Sequence, residues 1–420
     1  MFLAYKDRQK HANRQIYAPL SARADVCTWN FENNIAGRWQ RHEKYLPLHQ
    51  TGSTSAISNK NNCVRFRCLC THTMYRILLN ISAFCILSAL LLTGCTHPSK
   101  TQQQPGRFTT DVRLRTTPVK NQGQNDLCWL YAMLATIETE HLMRGDSVHL
   151  SVAYPTKCLL EELTRERYLS RGCAPLSTHG TPWQALHLLM AYGAMPYDSY
   201  PTDEHASIPA LVRKLQRLTD IDIARRTGLP AHEKSIARMI EDNIGPAPIH
   251  VFMFGAEYTT TEFAHSVCRK DEYQAYTSFT HHPFGTRFVL EIPDNRRRNN
   301  FLNVPIKTLV KLTETALRHG HPVCWEGDVS EPGFSQTKGL AEMPHGTSCT
   351  QQERQRQFER FDTTDDHCMT LIGMAHDAHG QRFFICKNSW GTNNPYGGFI
   401  YMSLPYFYLK TIAIYLSNGL

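Results

Sequence analysis

A cysteine, a histidine, an asparagine and a glutamine stand in this 420-residue chain where they could carry out acyl transfer. Cys128 follows Asp126 and Leu127 at the predicted start of a helix. In the first turn of a helix, unpaired backbone N–H groups and the helix dipole stabilise a thiolate, which lowers the pKa of the thiol. A buried free cysteine is more often a small apolar side chain, but the neighbours of Cys128 favour a nucleophile.

Three further residues complete the predicted chemistry. His367 begins an apolar run, where a neutral imidazole can accept the thiol proton and later give it to the leaving amine. The amide oxygen of Asn388 can accept a hydrogen bond from one ring N–H of His367, which leaves the other nitrogen facing sulfur. Gln122, six residues before Cys128, can place its amide N–H beside the Cys128 backbone N–H and form an oxyanion hole.

Each of these segments is weak alone, and their combination in this order is specific. A single histidine at a strand start is usually structural, and the Asn-Ser-Trp-Gly around Asn388 could be only a turn. We also expect substrate-binding roles for Trp129, Gly180, Asp366 and Trp390. Trp390 would cover the histidine–asparagine hydrogen bond, and Gly180 would line the cleft. Asp366 could instead face solvent, because adjacent strand residues point to opposite faces.

The elements that must position these residues follow from periodicity and turn signals. Helices are predicted over 128–144, 182–192, 208–218 and 233–242, with Asn125 and Asp126 as N-cap candidates for the first. Short strands are predicted over 323–325, 369–374, 383–387, 398–402 and 411–416. Helices followed by antiparallel strands predict an α+β fold of two lobes.

The three motifs resemble those of the papain superfamily of cysteine peptidases. Asn-Gln-Gly followed by Cys-Trp, a histidine followed by an apolar strand, and Asn-Ser-Trp-Gly all match, as does the six-residue spacing. The resemblance covers roughly residues 112–416. It implies Cys128 as nucleophile, His367 as acid and base, Asn388 as orienting residue and Gln122 as oxyanion donor. It also implies a helical lobe that begins with the catalytic helix, and an antiparallel, β-barrel-like lobe.

His367 lies 239 residues after Cys128, whereas papain-like enzymes need about 130–150. We therefore expect an insertion between the lobes, roughly 205–320, within a peptidase domain spanning 111–420. The segments 303–306, 321–329 and 354–360 resemble the bleomycin hydrolase and aminopeptidase C branch, which carries such an insertion. That resemblance implies an aminopeptidase acting on peptide substrates and a possible homo-oligomer, a hexamer in that branch.

Two alternatives remain open at this point. The branch has a C-terminal arm in the cleft, and no extended arm is expected here, since the sequence ends four residues after the last predicted strand. A papain-like endopeptidase is therefore one alternative. The other is a catalytically silent peptide-binding protein with the same fold, which the presence of the cysteine, histidine and asparagine disfavours.

The first 110 residues are predicted to lie outside the fold. Residues 1–73 are interpreted as a non-structural extension that would precede a true start at Met74. Residues 74–95 have the shape of a signal peptide, and the ending Leu92-Thr93-Gly94-Cys95 resembles a bacterial lipoprotein signal. We expect lipidation at Cys95, a linker over 96–110, and an exported protein anchored to a bacterial membrane. An uncleaved anchor helix is the alternative.

Charge and composition exclude other classes of function. The net charge is +8, but residues 1–95 hold 12 Lys and Arg against 4 Asp and Glu, and the remainder holds 33 of each. A nucleic-acid surface is therefore not expected. No cofactor and no metal site is expected, and His281 and His282 are interpreted as surface residues. Arg296–Arg298 is interpreted as a solvated loop, and Cys368 as an apolar filler.

Overall fold

Helices dominate the first half of the folded chain. They are α1 (Cys128–Arg144), α2 (Ala153–Leu169), α3 (Pro182–Tyr192), α4 (Ile208–Arg225), α5 (Leu229–Ile244), α6 (Thr260–Val267), α7 (Ile306–Arg318), α8 (Gln351–Glu359) and α9 (Leu404–Lys410). The structure, a computed structural model, describes residues 107–202, 206–253 and 255–418, which belong to one compact unit. Proline in the first turn begins α3, α4, α5 and α9, because its fixed φ suits a helix start and its missing N–H needs no partner there.

Strands dominate the second half. They are β1 (Phe108–Arg113), β2 (Val251–Met253), β3 (Ala256–Tyr258), β4 (Tyr273–Thr277), β5 (Arg287–Val289), β6 (Asn300–Asn303), β7 (Val323–Gly327), β8 (Phe334–Ser335), β9 (Leu340–Ala341), β10 (His367–Asp377), β11 (Arg382–Lys387), β12 (Phe399–Ser403) and β13 (Thr411–Ser417). Eleven of them form one sheet in the order β5-β6-β4-β13-β7-β10-β11-β12-β9-β8, with β1 paired to β10.

Both faces of this sheet are covered. On one face, helices α1 to α6 form a core that includes Cys324, Cys368 and Tyr415 from the strands. On the other face, α7 and α9 form a second core that includes Trp325 and Met369. Because side chains along a strand alternate between faces, neighbours such as Cys368 and Met369 enter different cores. The burial of apolar side chains on both faces holds the helices to the sheet.

The sequence predictions for the helices and late strands agree well with these elements. The bounds of α1 and α3 are as predicted, and α4 and α5 are longer than predicted. The five predicted strands correspond to β7, β10, β11, β12 and β13, with β12 beginning one residue later than predicted. The α+β class is confirmed, but the sheet of the described residues is open rather than a closed barrel, and β5 and β8 form its two ends.

One boundary differs from the predictions, and the predicted insertion supplies helices and strands to the fold. Residues 108–110, predicted to be linker, belong to β1 and pair with β10 through Phe108↔Asp377 and Thr110↔Ala375. The stretch 205–320, predicted to be an insertion, supplies α4 and α5, which pack on α2, and β4 to β6, which extend the sheet beyond β13. Phe108 stacks on Tyr401 with ring centroids 4.1 Å apart, an apolar contact that polar linker composition could not predict.

The predicted signal peptide and Cys95 lie outside the described residues. Within residues 107–418, as far as they are described, no helix is long and apolar enough to cross a membrane. The eight cysteines of this part of the chain are all free thiols.

Candidate active site

Cys128 is the first residue of α1 and is half-buried. Residue Leu127 occupies the N-cap position and provides no side-chain cap, so the predicted capping by Asn125 or Asp126 is wrong. Asn125 Oδ1 instead accepts a hydrogen bond of 3.0 Å from the Leu127 backbone N–H. The N–H groups of the first turn are therefore not capped by that side chain, and they favour a negative charge on the sulfur.

The Cys128 thiol has two hydrogen-bonding neighbours on β10. The Cys368 side chain contributes most to lowering the pKa of Cys128, followed by a hydrogen bond and the charge of His367, while burial opposes the shift. The net result is a pKa well below the usual value of a thiol. Cys368 itself is buried, and burial raises its pKa well above the usual value, so Cys368 stays a neutral donor beside the Cys128 thiolate.

His367 and Asn388 form the predicted pair. His367 Nε2 lies 2.7 Å from Asn388 Oδ1. Because an amide oxygen only accepts hydrogen bonds, Nε2 carries the proton and Nδ1 is left for the thiol. The same oxygen accepts a bond of 2.8 Å from the Ser389 backbone N–H, and Asn388 Nδ2 donates 2.8 Å to Gln336 Oε1. The tautomer of the imidazole is thus set by a fully bonded amide.

Trp390 covers this pair as predicted. Its ring centroid lies 4.5 Å from that of His367, and Phe334 packs against its other side at 5.7 Å. The indole shields the His367–Asn388 hydrogen bond from water, which strengthens it in a medium of low dielectric constant.

Gln122 lies between the nucleophile and the orienting residue. Its backbone N–H donates 2.8 Å to the Ser389 carbonyl, and its Oε1 accepts 2.6 Å from Ser389 Oγ. Its Nε2 donates 2.8 Å to the Asn125 carbonyl. An amide nitrogen carries two hydrogens, so one remains for an oxyanion. The segments around Asn388 and Cys128 therefore both fix the Gln122 side chain.

A buried ion-pair network lies behind α1. Glu138, which is fully buried, accepts 2.7 Å from Lys120 Nζ and 2.8 Å from the Leu150 backbone N–H. Burial would raise the pKa of Glu138, but Lys120 and Lys387 outweigh it and lower the pKa. Lys387 donates 2.7 Å to Thr117 Oγ1 and directly precedes Asn388. The network thus ties the end of β11, from which Asn388 projects, to the catalytic helix.

A second tie joins α1 to the strand that carries the histidine. Thr370 Oγ1, on β10, donates 2.9 Å to the Ala132 carbonyl and lies 3.3 Å from Thr136 Oγ1, both on α1. These contacts link the catalytic helix directly to the strand that carries His367. They hold the start of β10 and the start of α1 in fixed register.

The other residues predicted to bind substrate make defined contacts within the protein. Trp129 is 1% exposed and donates 3.0 Å to the Thr178 carbonyl, which fixes it in the cleft wall. A Cβ on Gly180 would lie 2.8 Å from Gln184 Oε1 and 3.1 Å from Trp129 Cε2. Asp366 Oδ1 accepts 2.8 Å from the Val329 backbone N–H. The substrate-binding roles of these residues stay predictions.

A histidine cluster lies at the base of β5. His281 Nε2 and His282 Nε2 lie 3.1 and 2.7 Å from the Glu291 carboxylate, close enough together to hold a metal ion. However, Gln355 Oε1 accepts from the Thr280 N–H, so Gln355 Nε2 donates to His281 Nδ1 at 3.0 Å. The proton of His281 is then on Nε2 and points at Glu291. The cluster is a set of imidazole–carboxylate hydrogen bonds.

Residues that sequence reasoning missed include Cys368, Gln336 and Glu138. Only the register of β10 against α1 brings Cys368 to the nucleophile. Gln336 follows β8 and reaches Asn388 across 52 residues of sequence. A glutamate inside an otherwise apolar helix was the one available signal for Glu138, because a buried carboxylate requires partners.

Comparisons with known proteins identify peptidases to which this chain is similar. A model of the Peptidase C1-like family matches residues 248–415. Aminopeptidase G of Lactobacillus delbrueckii subsp. lactis is 22% identical over 393 residues, covering 77% of this chain and 86% of the relative. The crystal structure of PepW from Lactobacillus rhamnosis HN001 is similar, with a TM-score of 0.59 and 17% identity, covering 83% of this chain and 92% of that chain.

A thiol at a helix start, an imidazole held by an asparagine and a two-lobed α+β fold define a cysteine peptidase. The family match and these relatives support a papain-family cysteine peptidase of the bleomycin hydrolase branch.

Proposed function

We propose that the protein is a cysteine aminopeptidase of the bleomycin hydrolase type, which removes residues from the amino ends of peptides. The observation that carries this proposal is the Cys128–His367–Asn388 arrangement, with its 2.7 Å hydrogen bond between Nε2 and Oδ1. The similarity to an aminopeptidase over most of both chains supports the exopeptidase class.

The side chains supply each step of the hydrolysis. The Cys128 thiolate attacks the scissile carbonyl carbon, and the oxygen takes the negative charge beside the Cys128 N–H and the second N–H of Gln122. His367 then gives its Nδ1 proton to the leaving amine as the C–N bond breaks and the thioester forms. Water attacks the thioester, His367 takes one water proton, and the acid and the thiol are released. One peptide bond and one water are consumed.

One pair of peptides tests the proposal. A peptide with a free amino terminus should be cleaved residue by residue, and the same peptide with an acetylated terminus should not. Cys128→Ala should abolish cleavage of the free peptide, because the thioester forms on the Cys128 sulfur. Equal cleavage of both peptides would replace the aminopeptidase with an endopeptidase. Turnover by Cys128→Ala would overturn the catalytic assignment.

Labelling identifies the nucleophile directly. A thiol-directed epoxide should modify Cys128 and remove activity, with the low pKa of Cys128 giving faster reaction than at other thiols. Cys173→Ala provides the control, because Cys173 is an exposed cysteine whose loss should leave both labelling of Cys128 and activity unchanged. Labelling confined to Cys173 in the parent protein would contradict the assignment.

We further propose that the protein is exported and held at a bacterial membrane by lipid on Cys95. The Leu92-Thr93-Gly94-Cys95 segment after an apolar stretch supports this. In a bacterial host fed a labelled fatty acid, the protein should incorporate label and sediment with membranes, and Cys95→Ala should do neither. Membrane association of an unlabelled Cys95→Ala protein would point to an anchor helix instead.

A further inference from the structure

The loop between β5 and β6, residues 290–299, crosses from the sheet to the helical lobe, and we call it the hairpin tip. Its base is apolar, with Leu290 1% and Ile292 8% exposed in the core shared with the helices. Its interior is braced by Asn295, whose Nδ2 donates 3.0 Å to the Leu290 carbonyl and 2.9 Å to the Asn299 carbonyl. The loop therefore has a defined shape, set by its own hydrogen bonds.

Two arginines of the hairpin tip hold it to the helical lobe. Arg296 donates 2.8 Å to the Ser177 carbonyl and also donates to the His179 carbonyl. Arg297 forms an ion pair with Glu162 on α2. Arg296, Arg297 and Arg298 are exposed, as predicted for a solvated loop, but the first two also contact residues more than a hundred positions away in sequence.

Asp294 connects the hairpin tip to residues that lie near His367 and near Cys128 in sequence. Its Oδ2 lies 3.7 Å from His179 Nδ1, and its backbone N–H donates 3.3 Å to Asp365 Oδ2. Asp365 stands two residues before His367. His179 Nε2 in turn lies 3.3 Å from Asp126 Oδ2, two residues before Cys128. A continuous chain of contacts thus runs from beside the nucleophile to beside the base.

The roles of His367 and Cys128 in the reaction indicate which side of the cleft this series of contacts crosses. The leaving amine takes its proton from His367 and so lies on the side covered by Trp390. The acyl part of the peptide lies on the other side of Cys128, along the wall formed by Gly180 against Trp129. His179 adjoins that wall, so the hairpin tip crosses the acyl side, where residues ahead of the scissile bond would extend.

The ionic contacts of His179 with Asp126 and Asp294 persist at neutral pH. Burial would lower the pKa of His179, but hydrogen bonds to Asp126 and Asp294 outweigh it and raise the pKa to about 10. The His179 imidazolium therefore lies between the Asp126 carboxylate, just before the catalytic helix, and the Asp294 carboxylate of the hairpin tip.

We infer that the hairpin tip closes the acyl side of the cleft, and that Arg296 and Arg297 are specificity-determining residues because they hold it closed. With the acyl side closed, a peptide whose amino terminus lies just ahead of the scissile bond can bind. A peptide that extends further in that direction is excluded. This inference rests on the proposed aminopeptidase function and names the element that confers it.

The test compares free and acetylated forms of one peptide in three proteins. In the parent protein, acetylated peptide should be cleaved far more slowly than free peptide. In Arg296→Ala/Arg297→Ala, the ratio of kcat/KM for acetylated over free peptide should rise by about tenfold or more, as access opens while the reacting groups stay in place. Arg298→Asn is the matched control, because it removes a third exposed charge from the loop at a φ of 54°, which asparagine tolerates.

The outcomes distinguish a failure of the proposed aminopeptidase function from a failure of the proposed role of the hairpin tip. Equal cleavage of both peptides by the parent protein would overturn the proposed aminopeptidase function. Discrimination by the parent that the double variant fully retains would overturn the role of the hairpin tip alone. The epoxide labelling rate and the Tm of each variant check that the site is folded. If the double variant unfolds, His179→Gln, which removes the cation that Asp294 contacts, should shift the same ratio, and an unshifted ratio there would overturn the inference.

Discussion

Asn388 Nδ2 donates a hydrogen bond of 2.8 Å to Gln336 Oε1. An amide has one donating and one accepting end, so this contact determines which end of Asn388 faces His367. With Nδ2 committed to Gln336, Oδ1 is the atom that lies 2.7 Å from His367 Nε2. Gln336 is therefore a positioning residue, which acts on the imidazole through Asn388.

Gln336→Leu should lower kcat/KM by about tenfold, because a rotated Asn388 amide would present a donor to Nε2 and favour the wrong tautomer. Gln336→Glu, which keeps an acceptor, is the control and should retain most activity. Steady-state kinetics with the free peptide give the comparison. The pH profile should change with the leucine variant, a change that simple loosening of the loop would not cause. Equal loss in both variants would contradict a role for the acceptor.

The acidic limb of the kcat/KM profile should lie well below the usual pKa of a thiol, because Cys128 is ionised there. Cys368 contributes most to lowering that pKa, so Cys368→Ala should raise it and move the limb to higher pH. Thiol alkylation rates measured against pH report the same ionisation without turnover. Cys386→Ala, at a buried cysteine of β11, is the control, and a limb that does not move in Cys368→Ala would contradict the assignment.

Glu138→Gln should lower the free energy of unfolding by about 3 kcal/mol, because it leaves Lys120 and Lys387 without their carboxylate. Urea unfolding followed by circular dichroism measures the change. The control is Glu161→Gln, which removes a partly exposed ion pair with Lys157 and should cost well under about 1 kcal/mol. Similar losses in both variants would show that the buried network contributes no more than a surface pair.

Gly180→Ala should raise KM, because the new methyl group would lie 2.8 Å from Gln184 Oε1 and 3.1 Å from Trp129 and push the cleft wall outward. A several-fold rise in KM with a smaller change in kcat is expected in steady-state assays. Gly228→Ala is the matched control, since a Cβ there would meet no atom within 4 Å. An unchanged KM would place the substrate elsewhere.

His179 should stabilise the fold most strongly at low pH. Its folded pKa of about 10 lies above the unfolded value of about 6.5, so its contribution is complete below pH 6.5 and is lost as the pH rises through 10. The Tm difference between the parent protein and His179→Gln should therefore shrink steadily between these values. A difference that is constant with pH would show that the imidazolium is not held by Asp126 and Asp294.

The motifs around Cys128, His367 and Asn388 were predictable because the chemistry depends on local sequence. A nucleophile at a helix start, a histidine at a strand start and an asparagine after a strand each leave a signature of a few residues. The bounds of α1 and α3 were predictable for a similar reason, since Gly145 and Gly193 end the helical patterns.

The contacts that surround these residues depend on register and tertiary packing. Cys368 contacts Cys128 because β10 packs on α1, which the local sequence does not show. Arg296 and Arg297 have the sequence pattern of any exposed charge run, and only the fold brings the β5–β6 hairpin against α2. The sheet of the described residues is open, and its end strands, β5 and β8, are only three and two residues long.

The early start of β1 has a consequence for where the enzyme can work. Because β1 begins at Phe108, the lipid proposed on Cys95 would be separated from this strand by a leash of only a dozen residues. Fully extended, that leash reaches about 45 Å, little more than the thickness of a bilayer. Peptides would then be cleaved close to the membrane. Peptides that cross the membrane or bind to its surface would reach the active site first.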